Sequence, residues 1–231
     1  MKPLSAGDFF AFSCHRRVSC FNDCCRELNQ YLTPYDILRL KNHLGLCSGD
    51  FLKKYTVQYI GPQSGFPMVS FRADGRSGAK CPFVAESGCS VYEDRPSSCR
   101  IYPLVRIVSR SRESGAVSER YMLLKEDHCF GFEEMENHSV KSWIECQRVA
   151  EYNAMNDLVL ELISLKNTKM PGPLKEESKH LLRLALFDID GFRAYADEGG
   201  VSTEPQRLKE MSDADLLRFA VEWTKKAVFG A

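Results

Sequence analysis

The sequence predicts an α+β chain that is predominantly helical, its helices set around a small irregular antiparallel sheet with cysteine-rich loops. Three observations predict this. Apolar residues recur at helical spacing over residues 34–44 and again beyond residue 140. Between them, from Tyr55 to Tyr121, short β-rich runs are punctuated by Gly61-Pro62 and Gly65-Phe66-Pro67. Eight of the ten cysteines fall into two groups, the second lying in the loops around these runs.

Taken in order, Cys24 to Leu32 reads as a short helix. Thr33-Pro34-Tyr35-Asp36 then starts a stronger one. Thr33 is a suitable N-cap, Pro34 suits the first helical position, and Asp36 stands three residues beyond the cap. Ile37, Leu38, Leu40 and Leu44 form its apolar stripe, and Gly45 can end it in a left-handed conformation. Ser48-Gly49-Asp50-Phe51-Leu52 reads as another capped start. Met68 to Arg72 reads as a strand. Leu104 to Ser109 and Arg120 to Leu124 read as a hairpin with a long polar connection.

After Asn137 the pattern turns helical, with Val140, Trp143, Ile144, Ala150, Met155, Leu158, Leu160 and Leu162 along one long stripe. Asn167 to Pro173 has a linker's composition. Leu174 to Glu198 reads as one or two helices, and Ser212, with Asp215 three residues on, caps a last helix through Trp223 and Val228. The chain thus divides by sequence into a cysteine-cluster domain at 1–166, a linker at 167–173 and a helical C-terminal lobe at 174–231.

Length and composition bound the function. At 231 residues, with 44% hydrophobic and 27% charged residues, the chain is of globular type. Lys+Arg and Asp+Glu are both 31, so no net charge favours nucleic acid or an anionic membrane. The N-terminus lacks the apolar run of a secretory signal, and no apolar stretch is long enough to span a bilayer. The expected location is cytoplasmic, where thiols stay reduced.

In that setting the cysteines read as metal ligands rather than as a disulfide scaffold. The first group is Cys14, Cys20, Cys24 and Cys25. The second is Cys81-Pro82-Phe83, Gly88-Cys89-Ser90-Val91-Tyr92, Cys99-Arg100 and His128-Cys129. Thiolates bind soft metals, and eight of them equal two full sets of four. On a helix Cys25 would be rotated by about 100° from Cys24, so the adjacent pair should diverge and serve two metals, or one sulfur should bridge them. Paired C-x2-C knuckles are absent, which favours an iron–sulfur cluster over zinc.

These residues resemble a known family. Leu32-Thr33-Pro34-Tyr35-Asp36, Cys81-Pro82-Phe83, Gly88 to Pro96, Cys99-Arg100-Ile101-Tyr102-Pro103-Leu104 and His128-Cys129 are similar, in the same order, to the YkgJ-type cysteine-cluster proteins. That family carries a CxxCxxCC signature, is described as zinc- or iron-chelating, and has the flagellin lysine methylase as a relative. The first spacing departs from the signature, as Cys14-x5-Cys20-x3-Cys24-Cys25. The resemblance implies a multi-cysteine metal site in a cytoplasmic protein, with redox or methyl-transfer chemistry as its use. It brings no settled reaction or substrate.

Other residues read more simply. Cys47 and Cys146 are expected as buried free thiols and His15 as a loop residue, with His128 the better alternative ligand. Glu93-Asp94-Arg95 is expected to tighten a turn. Arg100 and Arg106 either offset thiolate charge or face solvent, and Tyr92 and Tyr102 are expected to wall off the site. Asp188-Ile189-Asp190-Gly191 reads as a helix end. No P-loop, dinucleotide fingerprint, nucleophile elbow or zinc-protease helix occurs, so no catalytic residue is assigned. The expected function is chelation of an iron–sulfur cluster or zinc by Cys14, Cys20, Cys24, Cys25, Cys81, Cys89, Cys99 and Cys129. The alternative is a non-catalytic zinc-stabilised module that binds a partner protein.

Overall fold

A computed structural model describes residues 1–231 apart from 27–29, 63, 73–79, 112, 113 and 202–204. The first half of the chain contains β1 (Lys2–Leu4), β2 (Phe9–Ala11), β3 (Tyr31–Leu32), α1 (Pro34–His43), α2 (Ser48–Tyr55), β4 (Thr56–Ile60) and β5 (Pro67–Phe71). It continues through β6 (Val84–Ala85), β7 (Gly88–Cys89), α3 (Ser97–Ile101), β8 (Leu104–Arg110) and β9 (Val117–Leu123). Then come β10 (Asn137–Ser139), α4 (Val140–Cys146), α5 (Val149–Lys169), α6 (Glu176–Phe187), α7 (Ile189–Tyr195), α8 (Pro205–Glu210) and α9 (Asp213–Phe229). The α+β, predominantly helical expectation holds, although the strands form several small sheets instead of one.

Contacts group the chain into two units, Met1–Leu28 with Ala73–Tyr152, and Asn29–Arg72 with Asn153–Ala231. In the first unit β8 and β9 form the expected hairpin, Leu104 opposite Leu123 through Arg110 opposite Val117. The unforeseen β1 adds to its edge, and β2 pairs with β10. Phe10 and Phe12 point inward from the β2 segment and meet the Trp143 ring edge-on at 5.8 and 5.7 Å. Trp143 comes from α4, which Ser139 starts by trading hydrogen bonds with Ser142. Its indole N–H donates to the Ile101 carbonyl at 3.0 Å, so this large side chain is buried without an orphan donor. Leu4, Leu104, Tyr121, Val140 and Val149 complete this core.

The second unit follows its caps. Thr33 accepts from the Asp36 N–H while Asp36 accepts from the Thr33 N–H, the reciprocal box that opens α1. Gly45, at φ 62°, takes the chain out of that helix. Ser212 caps α9 through the Asp215 N–H. Asp188 caps α7 through the Gly191 N–H, so the Asp188-Ile189-Asp190 segment is a helix start after α6, within the expected pair of helices. Its carboxylates are occupied: Asp188 accepts from the Ser48 hydroxyl and Asp190 from the Ser48 N–H and Lys41. Ser48 is therefore the first residue of α2, and Cys47 stands at the cap position without a side-chain bond.

Two local expectations are corrected. Tyr31–Leu32 is a strand, paired with Ser70 and Val69 of β5, because a sheet partner distant in sequence overrides local helical pattern. The preceding expected helix is a single tight turn at Asp23–Cys25, and residues 27–29 lie outside the described residues. The long stripe after Asn137 is two helices, broken where Arg148 adopts φ 52°. No described helix is long and apolar enough to cross a membrane.

Candidate metal centre

All eight candidate cysteines lie in the first unit. Cys14, Cys20, Cys24 and Cys25 occupy the loop after β2 and its tight turn; Cys81 precedes β6 and Cys89 ends β7. Cys99 is in α3, and Cys129 lies between β9 and β10. Long-range backbone bonds gather these segments. The Cys81 N–H donates to the Cys25 carbonyl at 2.8 Å, and the Asn22 side chain donates to the Ala85 carbonyl at 2.9 Å. Ser13 N–H donates to the Gly131 carbonyl at 3.0 Å, and Phe130 N–H donates to the Cys20 sulfur at 3.1 Å.

The sulfurs sit where backbone N–H groups point at them. Cys81 accepts from Phe83 and Val84, Cys89 from Val91, and Cys129 from Gly131. Such N–H groups stabilise a thiolate by hydrogen bonding to its charged form. Gly131 matters for another reason. A Cβ there would lie 2.7 Å from both the Phe12 ring and the Ser13 carbonyl, so only glycine lets these segments approach.

Cys24 and Cys25 correct the expected divergence. Their sulfurs are 3.8 Å apart, because the tight turn at Asp23–Cys25 replaces the α-helix on which they would separate. About 3.8 Å is also the edge of a tetrahedron with metal–sulfur bonds of roughly 2.3 Å. Among the described residues no three Cys, His, Asp or Glu side chains already converge on one ion. The donor chemistry nonetheless fits a thiophilic metal: soft sulfurs, backbone N–H support and mutual electrostatic contact within one unit.

That contact is visible in the acidities. The hydrogen bond with Cys25, helped by His128 and opposed by burial, draws the Cys24 thiol down to about 7. Cys25 is pushed up by the same bond, then by burial and by Cys24, Cys81 and Cys99, so it holds the proton the pair shares. Burial pushes Cys14 up to about 11, with Cys24, Cys20 and Cys129 adding to the rise. Burial also raises Cys81, Cys89 and Cys129. These thiols crowd one another's negative charge, which a bound cation would offset.

The surroundings revise several expectations. Arg95, assigned only to a turn by sequence, is 9% exposed and lies 3.7 Å over the Tyr92 ring. It donates to the Tyr92 carbonyl and to Gln147, and its charge acts on Cys14, Cys89 and Cys99. Burial lowers its pKa, which marks a cation held away from water near thiols. The signal was the Tyr-x-x-Arg spacing at Tyr92 and Arg95, which allows a cation over a ring. Arg100 is buried and donates to the Gln147 and Glu93 carbonyls, whereas Arg106 pairs with Glu119 across the hairpin at 2.9 Å.

Tyr102 packs edge-on against Phe12 at 5.7 Å, and burial followed by the Cys129 thiol raises its hydroxyl pKa. That hydroxyl is buried without a close hydrogen-bond partner among the described residues. Tyr92 is 54% exposed and serves as the platform for Arg95. His15 pairs with Glu134 at 3.4 Å, and His128 lies 3.9 Å from Glu126 while acting on Cys24. Cys47 and Cys146 are exposed, contrary to the expected burial: one stands at a helix cap, the other at the end of α4.

A family model described as "Putative zinc- or iron-chelating domain", with the signature CxxCxxCC, matches residues 13–137. The match spans more than half of the chain and contains all eight candidate cysteines. No curated protein and no solved structure matches the chain.

Proposed function

The chain belongs to the CxxCxxCC family of zinc- or iron-chelating domains, and we propose from that premise that Cys14, Cys20, Cys24, Cys25, Cys81, Cys89, Cys99 and Cys129 are its ligands, with an iron–sulfur cluster as the favoured occupant. The observation that carries the reading is the gathering of eight thiols in one unit, four of them met by backbone N–H groups. A bound iron–sulfur centre would supply one-electron chemistry, and zinc would supply structural cross-linking.

The chain's own residues have definable parts in this. The N–H groups of Phe83, Val84, Val91 and Gly131 favour the charged forms of Cys81, Cys89 and Cys129 against the burial that raises them, and the Phe130 N–H bonds the Cys20 sulfur. Arg95 offsets their negative charge from one side, and Tyr102 shields Cys129. Irregular spacing without C-x2-C knuckles supports the cluster over zinc. The reading extends to redox or methyl-transfer chemistry, supported only by the resemblance to the flagellin lysine methylase.

A second reading, a zinc-stabilised interaction module, is favoured by the 3.8 Å Cys24–Cys25 edge, which also suits a mononuclear tetrahedral ion. Iron, sulfide and zinc analysis with an absorption spectrum after anaerobic purification separates the two. Iron with acid-labile sulfide and broad visible absorption is expected. A colourless protein with stoichiometric zinc and no iron would sink the cluster reading.

A further inference from the structure

The first unit buries two cations that no carboxylate pairs among the described residues. Arg95, just before α3, is 9% exposed, and Arg100, on α3, is 5% exposed. Every hydrogen bond their guanidiniums make among the described residues ends on an uncharged acceptor. Arg95 donates to the Tyr92 carbonyl and the Gln147 side-chain oxygen, and Arg100 to the Gln147 and Glu93 carbonyls. Each also lies over an aromatic ring, Arg95 at 3.7 Å from the centre of Tyr92 and Arg100 at 5.0 Å from that of Tyr152. The Arg100 Nε is buried with no hydrogen-bond partner among the described residues.

Burying a cation without a counter-charge costs more than hydrogen bonds to carbonyls return. Here two cations are fastened to one residue, Gln147, so they also repel each other, and the Arg100 charge helps push the Arg95 pKa down. The pair flanks a candidate ligand in the chain: Cys99 lies on α3, after Arg95 and immediately before Arg100. A divalent ion held by four thiolates carries two net negative charges. The counter-charge that carboxylates do not provide is the one such a centre would bring.

Resting on the chelating function proposed above, we propose that Arg100 acts with Arg95 as a built-in counter-charge for the thiolate centre, both cations being fixed in place by Gln147. Arg100 is a positioning residue in this scheme. It acts on the centre through its charge, and its bonds to the Gln147 and Glu93 carbonyls fix where that charge sits. The loaded state compensates both buried cations and the empty state leaves them unpaired. Metal affinity and the Arg100 charge are therefore thermodynamically linked.

The test compares the full wild-type chain with Arg100→Met, Arg100→Gln and Arg100→Lys, each zinc-free and zinc-loaded. Competition with a chromophoric chelator reads affinity, and thermal melts read stability. The two neutral variants, of which Arg100→Gln can still donate to a carbonyl, are expected to bind zinc roughly 10-fold or more weakly. They should also gain less melting temperature from zinc than the wild type does. Arg100→Lys keeps the charge without the planar fork, so its affinity should stay nearer the wild type than that of either neutral variant, even where it melts lower in both states. Neutral variants that bind zinc as the wild type does, and lose equal stability with and without it, would make Arg100 a scaffold and overturn the proposal. Arg100→Lys as weak as the neutral variants would also overturn it, by tying the effect to bond geometry. A wild-type chain that zinc neither binds nor stabilises would instead overturn the chelating function on which the role rests.

Discussion

The sulfurs of Cys24 and Cys25 lie 3.8 Å apart in a tight turn, near the van der Waals contact of two sulfurs and the edge of a metal–thiolate tetrahedron. Cys24→Ser and Cys25→Ser should each lower the bound metal, because each removes one of the eight proposed ligands. Metal analysis of the two variants checks this. Unchanged metal in Cys25→Ser would rule out both a bridging and a two-centre role for the pair.

Arg95 is the cation nearest in effect to the thiols, and its burial makes it sensitive to substitution. Arg95→Met is expected to weaken zinc binding roughly 10- to 100-fold, the usual scale for supporting groups around a metal site. With an iron–sulfur occupant it should shift the midpoint potential to more negative values, since a positive charge favours the reduced state. Arg95→Lys should recover part of both effects. Competition with a chromophoric chelator and a redox titration measure them; an unshifted potential and affinity in Arg95→Met would remove its electrostatic role.

In the second unit, buried Lys41 bonds Asp213 at 2.7 Å and Asp190 at 3.1 Å, and Arg193 bonds Asp213 at 3.0 Å. Burial alone would raise the Asp213 pKa, but bonds from Lys41 and Arg193 outweigh it and hold the carboxyl below the usual aspartate range. Its stabilising effect is therefore complete above about pH 4 and is lost as pH falls through the lowered native value. Burial opposes charge on Lys41, yet its two aspartates raise its pKa above the usual lysine range, so its contribution is lost only as pH rises through that raised value. Asp213→Asn should cost about 2 kcal/mol at neutral pH and flatten the acid limb. Urea melts across pH 2–7 check the slope.

Cys47→Ala and Cys146→Ala should retain full metal and change stability by no more than about 0.5 kcal/mol, since both thiols are exposed. Metal content and thermal melts read this directly. Metal loss in either variant would place a ligand outside the eight.

What could be read from sequence and what could not divide along physical lines. Caps are local, so Thr33 with Asp36, Ser212 with Asp215 and the left-handed Gly45 were legible within a few residues. The Leu104–Arg110 and Val117–Leu123 hairpin was legible for the same reason. Tyr31–Leu32 was not, since its strand character depends on Val69 and Ser70. The N-terminal strands depend likewise on partners more than a hundred residues away, such as Tyr121 opposite Leu4. The break at Arg148 had no glycine or proline to announce it. At the site, thiol identities and their family pattern are local features. The approach of Cys24 to Cys25 and the burial of Arg95 are not, because both depend on a turn type and on packing beyond the motif.

The most direct measurement is the number of reactive thiols. The chain has ten cysteines, eight assigned to metal and two, Cys47 and Cys146, left free. Anaerobically purified native protein should therefore show two thiols to a colorimetric disulfide reagent, and ten after unfolding with a chelator present. Eight or more reactive thiols in the native, metal-loaded protein before chelation would contradict the account.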